Sequence, residues 1–295
     1  MAKKKLIGII GSNRKIGNAE IVAKSIGLRL SDGWDLSLIR LPQLLIQPCK
    51  GCYACLRPGV SCNLHDDMAW FLDRLCEAEA LVFAVPNYIL GPVGMIKMLT
   101  DRGLQALTRG TTLWKKRTVV ALTLGREEYR GYADTALIAQ VAGLGLDVIS
   151  VECFYGTHPG EVAIAADFEE KIDRLASALL GNERASKNYE NRCPRCLSDL
   201  FRTHPQGLEC AICKSLAERK ADGSLHFFYF HPEFSEAGQI EHLNWLQMKK
   251  DKYPHLKNRL RDIQSSFQGG NWISPSPAVP EELIRPNSSF TETDK

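Results

Sequence analysis

The chain has 295 residues, 44% of them hydrophobic and 24% charged, the composition of a globular protein with a full core and room for an appendage. A formal charge of +3 is too weak to argue for nucleic acid by itself. No window approaches the roughly 18 apolar residues of a membrane span. The short apolar run Leu6 to Ile10 ends in a Gly-Ser turn, unlike a leader peptide. A cytoplasmic protein is expected, in which clustered thiols hold metal more often than they pair.

Strand and helix patterns alternate through the first 180 residues. LIGII (6–10) reads as a first strand, followed by the turn GSNRKIGN (11–18) and helical spacing from Asn18 to Leu30. LSLIRL (36–41) reads as a second strand, and a cysteine-rich loop, CKGCYACLRPGVSC (49–62), follows it. Asp66 and Asp67 suit a helix start before MAWFLDRLCEAE, and His65 belongs to that start rather than to catalysis. ALVFAVP (80–86) is continuously apolar, as a central parallel strand must be when both its faces are covered. VGMIKMLTDRGLQAL (93–107) has helical spacing. RTVVALTLG (117–125) and DVISVECFY (147–155) read as strands, with helical patterns at 131–145 and from Asp167 to Leu180. Cys76 and Cys153 fall on apolar faces and read as core thiols.

Five strands interleaved with helices predict an α/β, doubly wound, five-stranded parallel sheet over residues 1–180. Composition then shifts. Residues 181–190 are polar and read as a linker, and 191–233 carry a second set of four cysteines and the β-like run LHFFYF. Residues 234–264 form a helical extension interrupted at Pro254, and 265–295 mix Gly, Pro and Ser as a flexible tail does.

In a doubly wound sheet, ligands sit at the carboxyl ends of strands, so the loops after strands one, three and four are the place to look. The first is a strand-to-helix turn whose backbone N–H groups and helix dipole favour an anion. Arg14 can make a charge-assisted contact there, while Ser12 and Asn18 can donate hydrogen bonds. The loop lacks both the P-loop lysine and the three-glycine dinucleotide fingerprint, which points to a monophosphate. In the second loop Tyr88 offers an aromatic face, and Gly91-Pro92 keeps the backbone tight beside a planar ligand. In the third, Thr123 and Gly125 close the strand end.

Together, GSNRKIGN, PNYILGPVGMIKMLTDR and TLG resemble the NADPH-dependent FMN reductase family of flavodoxin-like proteins. The resemblance covers residues 5 to about 180. It implies non-covalent FMN held at Ser12, Arg14, Gly17, Asn18, Pro86, Asn87, Tyr88, Gly91, Thr123 and Gly125. Asn87 departs from the family pattern, in which a small apolar residue is commoner at this position.

Cys49, Cys52, Cys55 and Cys62 make a compact set whose first three members can wrap one face of a cubane, with the fourth closing it. A [4Fe–4S] cluster is the preferred occupant over zinc, and a disulfide or an empty loop ranks last. A cysteine motif after strand two looks like the iron–sulfur flavoprotein branch of the same family. That likeness implies one cluster and one FMN per subunit, a homodimer or homotetramer, and electron exchange with a ferredoxin-like carrier. Strand two lies beyond strand one in such sheets, so a neighbouring subunit is expected to bring cluster and flavin together.

Cys193, Cys196, Cys210 and Cys213 form two C-x2-C knuckles, the pattern of a zinc ribbon or a rubredoxin-like iron site. Rubredoxin knuckles favour glycine after the second cysteine, whereas Leu197 and Lys214 stand there, so zinc is preferred. The basic run 248–261 reads as a solvated face or a partner surface; nucleic acid is not an expected partner. The leading function is an FMN-dependent oxidoreductase passing electrons through [4Fe–4S] and FMN. The alternatives are an NAD(P)H-dependent FMN or quinone reductase with an accessory cluster, and a regulatory scaffold that uses the zinc module to bind a partner.

Overall fold

The computed structural model describes residues 3–30, 32–57, 59–181, 191–232 and 235–268. The linker expected at 181–190 therefore lies outside the described residues except for Gly181, and so does the tail beyond 268. The chain divides into two compact units between Leu246 and Gln247.

In chain order the first unit begins with β1 (Lys4–Ile10), α1 (Asn18–Arg29), β2 (Trp34–Arg40), α2 (Met68–Glu77), β3 (Ala80–Tyr88) and the two-residue β4 (Gly91–Pro92). It continues with α3 (Gly94–Thr100), α4 (Leu104–Leu107), β5 (Arg117–Leu124), α5 (Ala133–Ala142), β6 (Asp147–Tyr155) and α6 (Phe168–Leu180). Strand order is β2-β1-β3-β5-β6, all parallel, with β4 folded back antiparallel on β3. This is the flavodoxin-like sheet that the apolar runs predict.

Both faces are covered. Along β1, Leu6 and Ile10 pack with α1 and α6, while Ile7 and Ile9 point the other way, into the core under α2, α3 and α5. That alternation is the strand period of two, and burial on both sides is why β3 and β5 read as unbroken apolar runs. Among the described residues, no helix is long and apolar enough to cross a membrane.

Two expected helices differ from their patterns. The single helix expected over 93–107 is broken into α3 and α4 at Asp101, Arg102 and Gly103, and Arg102 in the break turns inward to a buried partner, Asp66, and is 2% exposed. The interruption expected at Pro254 does not occur, since α7 (Glu236–Ser265) runs through it. A proline inside a helix removes one hydrogen bond and crowds the preceding turn, yet the helix continues on both sides of it.

Beyond α6, β7 (Phe201–His204), β8 (Gly207–Cys210), β9 (Leu216–Arg219) and β10 (Leu225–Tyr229) form an antiparallel sheet in the order β10-β9-β8-β7. Phe201, Ile212 and Phe227 pack against the four buried cysteines of this module. Leu197, at the end of the first knuckle, is fully buried and packs into the core of the parallel sheet.

Candidate functional site

A cleft at the carboxyl ends of the strands collects residues from four loops. Ser12, Arg14 and Asn18 come from the first loop, Pro86, Asn87 and Tyr88 from the end of β3, and Thr123 and Gly125 from the end of β5. Gly17 and Gly91 lie outside this lining. Gly17 is the N-cap of α1, and Gly91 sits in the hairpin beside the Tyr132 ring. Gly156 and Thr157, after β6, also line the cleft. The sequence reading missed them, although the rule that ligands gather at carboxyl ends of strands applies equally to the fifth strand.

The first loop is held by charge. Glu20, in the first turn of α1, is 6% exposed and accepts from the Ile16 N–H at 2.9 Å. It pairs with Arg40 at 2.5 Å and with Lys24 at 2.6 Å. Arg40, the last residue of β2, also donates to the carbonyls of Ser12 at 2.6 Å and Arg14 at 3.0 Å. Burial pushes the Glu20 carboxyl up, but the hydrogen bonds from Lys24, Arg40 and Ile16 outweigh it and hold the group at about 2, against an ordinary 4.5. A carboxylate with a depressed pKa contributes stability above its unfolded value, and that contribution is lost as pH falls through about 2. Thermal unfolding between pH 5 and pH 2 is therefore expected to fall more steeply for the native chain than for Glu20→Gln. Parallel curves would count against this clamp.

The side chain of Asn18 is not free for an anion. Its Nδ2 donates to the Gly156 carbonyl at 3.0 Å, and its Oδ1 accepts from the Gly160 N–H at 2.9 Å. What α1 offers is its first turn of N–H groups, which have no partner within the helix, together with the Ser12 hydroxyl. Arg14 is tied by a 3.0 Å bond to the Thr157 carbonyl, so its guanidinium stays at the cleft edge.

At the other end of the cleft, Asn87 donates through Nδ2 to the Tyr129 carbonyl at 2.6 Å, while its Oδ1 is buried without a hydrogen-bond partner. A buried acceptor left unpaired is costly, and this oxygen is available to a donor. The hairpin that follows has Ile89 and Leu90 in the left-handed region, with φ 52° and 64°. The tight turn thus falls on Ile89-Leu90 rather than on Gly91-Pro92.

The cysteine loop lies elsewhere: none of Cys49, Cys52, Cys55 or Cys62 lines the cleft. Gly51 and Tyr53 have φ of 63° and 54°, which curls the chain between successive cysteines. The Cys49 Sγ accepts from the Gly51 N–H at 3.4 Å. Burial raises the Cys55 thiol, and the neighbouring Cys62, Cys49 and Cys52 raise it further. They do not close to the spacing of a single-ion site.

Arg102 backs this loop. It forms an ion pair with Asp66 in which both side chains are 1% exposed, and its Nη2 donates to the Cys62 Sγ at 3.5 Å. Asp66 in turn accepts from the Gln47 N–H at 2.8 Å and the Met68 N–H at 3.2 Å. His65 is exposed and contributes its backbone carbonyl to Gln47.

A sequence profile of NADPH-dependent FMN reductases matches residues 4–158, the span that contains both the cleft and the cysteine loop. The chain belongs to that family. An iron–sulfur flavoprotein of Archaeoglobus fulgidus is 32% identical over 162 residues, covering 54% of this chain and 71% of that protein. A second iron–sulfur flavoprotein of the same organism is 30% identical over 151 residues, covering 50% and 73%. The solved structure of a flavone reductase superposes with a TM-score of 0.66 at 18% identity, covering 92% of this chain and all of that one. That likeness is one of fold, and it extends past the parallel sheet. As a member of that family the chain is an FMN-dependent oxidoreductase.

The family match ends before the second cysteine set. There the Cys193 and Cys213 sulfurs are 3.5 Å apart, as are those of Cys196 and Cys210, and all four lie within 4.8 Å. Four thiolates about 2.3 Å from one tetrahedral ion stand about 3.8 Å apart, so the donor set fits a single metal. The knuckles are alike: Leu197 and Lys214 follow the second cysteine of each and have φ of 63° and 62°. This backbone is why glycine is common at such positions. Cys76 and Cys153 pack against the core, and burial pushes the Cys153 thiol up to about 12.

Proposed function

We propose that the chain is an iron–sulfur flavoprotein that exchanges electrons between a one-electron carrier of ferredoxin type and an acceptor. FMN would lie in the cleft, and a [4Fe–4S] cluster would be held by Cys49, Cys52, Cys55 and Cys62. What supports the cluster reading is four cysteines gathered on one loop, a buried arginine, Arg102, that donates to the Cys62 Sγ, and the likeness to iron–sulfur flavoproteins. When bound, FMN accepts electrons singly or in pairs and the cluster passes them singly, so together they link one-electron and two-electron donors.

The chain's own part is binding and orientation. The first turn of α1 and Ser12 take the phosphate, while the Glu20–Arg40 pair fixes the loop that presents them. Asn87 Oδ1 would offer an acceptor to a donor of the bound flavin, and Tyr88, half exposed at the cleft, would offer its face. The site formed by Cys193, Cys196, Cys210 and Cys213 takes zinc by preference, as a structural ion.

Because the cysteine loop does not line its own cleft, a second subunit of a homodimer or homotetramer would bring the two centres together. A second donor, NAD(P)H, is favoured by the family that the chain matches. One anaerobic preparation tests these points. Iron and sulfide should approach about four each per chain beside one FMN, with sedimentation showing a dimer or tetramer. Cys55→Ser should lose the iron and sulfide but keep the flavin. Flavin without sulfide in the native protein would sink the cluster. Rapid bleaching by NADPH would make the nucleotide the donor, whereas bleaching by reduced ferredoxin alone supports the carrier. A monomer with fast cluster-to-flavin transfer would overturn the subunit arrangement.

A further inference from the structure

The cleft and the four-cysteine module are joined by a continuous set of contacts. Between them runs the loop 126–132. On its inner side the Tyr129 carbonyl takes the hydrogen bond from Asn87, and the Tyr132 N–H donates to the Leu90 carbonyl at 3.1 Å. Gly131 has φ 56° and lies so close to the hairpin that an added Cβ would fall 2.5 Å from that of Leu90. Any shift of this loop therefore reaches both Asn87 and the turn beside Tyr88.

On its outer side the loop is held by charge from the module. Arg130 reaches Asp199 Oδ2 at 2.9 Å and Asp134 Oδ2 at 3.3 Å. Asp199 follows the first knuckle and also accepts from the Thr135 hydroxyl at 2.8 Å. Arg192, which precedes Cys193, pairs with Asp134 at 2.6 Å and donates to the Leu197 carbonyl at 2.7 Å. The Asp134 side chain is 1% exposed and that of Arg192 is 14% exposed, so this pair is shielded from water, while Arg130 and Asp199 beside it are partly exposed. Asp199 is itself placed by the knuckle turn, in which the Cys193 N–H donates to the Ser198 carbonyl at 2.8 Å and the Leu197 N–H to the Cys193 carbonyl at 2.7 Å.

We infer that the metal-bound four-cysteine module positions the flavin site: Asp199 and Arg192 hold loop 126–132, and through it Asn87 and the Ile89-Leu90 hairpin, in their binding geometry. The inference rests on the FMN reading above. A metal bound by Cys193 and Cys196 would brace the knuckle turn that places Asp199, so an empty module would loosen the loop. Metal at the four cysteines and flavin in the cleft then favour each other, and such coupling is reciprocal.

The test uses the full-length chain. Asp199→Asn, with the metal content of its four-cysteine module unchanged, is expected to weaken FMN binding about tenfold, a shift of about 1.4 kcal/mol. Asn87→Ala should weaken it as well. The double variant should lose less than the product of the two, because both act through one loop. Lys220→Ala, which removes an ion pair with Glu218 elsewhere in the module, should bind FMN as the native chain does.

A second measurement needs no variant. FMN should slow the loss of the module's metal to EDTA, followed by metal counting. Native FMN affinity in Asp199→Asn, strictly multiplicative losses in the double variant, or equal metal loss with and without FMN would each overturn the inference. A native chain that binds no FMN overturns the flavin reading itself and the inference with it.

Discussion

The Arg102→Met variant is expected to unfold about 3–5 kcal/mol more easily than the native chain, because it strands a buried charge. Asp66 would keep its backbone bonds from Gln47 and Met68 but lose its only ion-pair partner among the described residues, at a site where its side chain is 1% exposed. The double variant D66N/R102M keeps an oxygen acceptor at position 66 without the charge, and should recover much of the loss. Urea unfolding of the three proteins measures this directly. A single variant within about 1 kcal/mol of native stability, the value of an exposed pair, would mean that the pair is solvated in solution. Because Arg102 also donates to the Cys62 Sγ, the same change removes a positive group from beside the cysteine loop.

The second large effect belongs to the four-cysteine module. Cys210→Ser removes one of four buried donors and is expected to abolish metal binding at that site. Metal binding in comparable small domains contributes on the order of 10 kcal/mol to folding. A sheet of roughly 40 residues cannot replace that from its own core. Hydrogen exchange should therefore show β7 to β10 losing protection while β1, β3 and β5 keep theirs. Protection retained across β7 to β10 after the metal is lost would show that Phe201, Phe227 and the docking of Leu197 suffice without an ion.

Much of the scaffold can be read from local signals. The runs LIGII, ALVFAVP and RTVVALTLG announce β1, β3 and β5 because burial on two faces leaves no polar alternation to confuse. Cysteine spacing announces both thiol sets, since ligands on tight turns must lie close in the chain. The long-range ion pairs leave no such trace. Glu20 and Arg40, Asp66 and Arg102, and Asp134 and Arg192 are separated by 20, 36 and 58 positions, and each looks like an ordinary surface charge on its own segment. Asn18 misleads for a related reason: its type suits an anion, but its amide is already shared between Gly156 and Gly160.

The hairpin at the mouth of the cleft carries a last consequence. A β-branched residue in the left-handed region is strained by about 1–3 kcal/mol, and Ile89 is in that state while 94% exposed. Glycine there would relax the turn but would also let it wander. Retaining Ile89 and Leu90 keeps the rim stiff before any ring arrives, so the entropy of ordering it is spent when the chain folds and not on each encounter with the cofactor. The rim of the cleft is in this sense preorganised, at a standing expense to the stability of the whole domain.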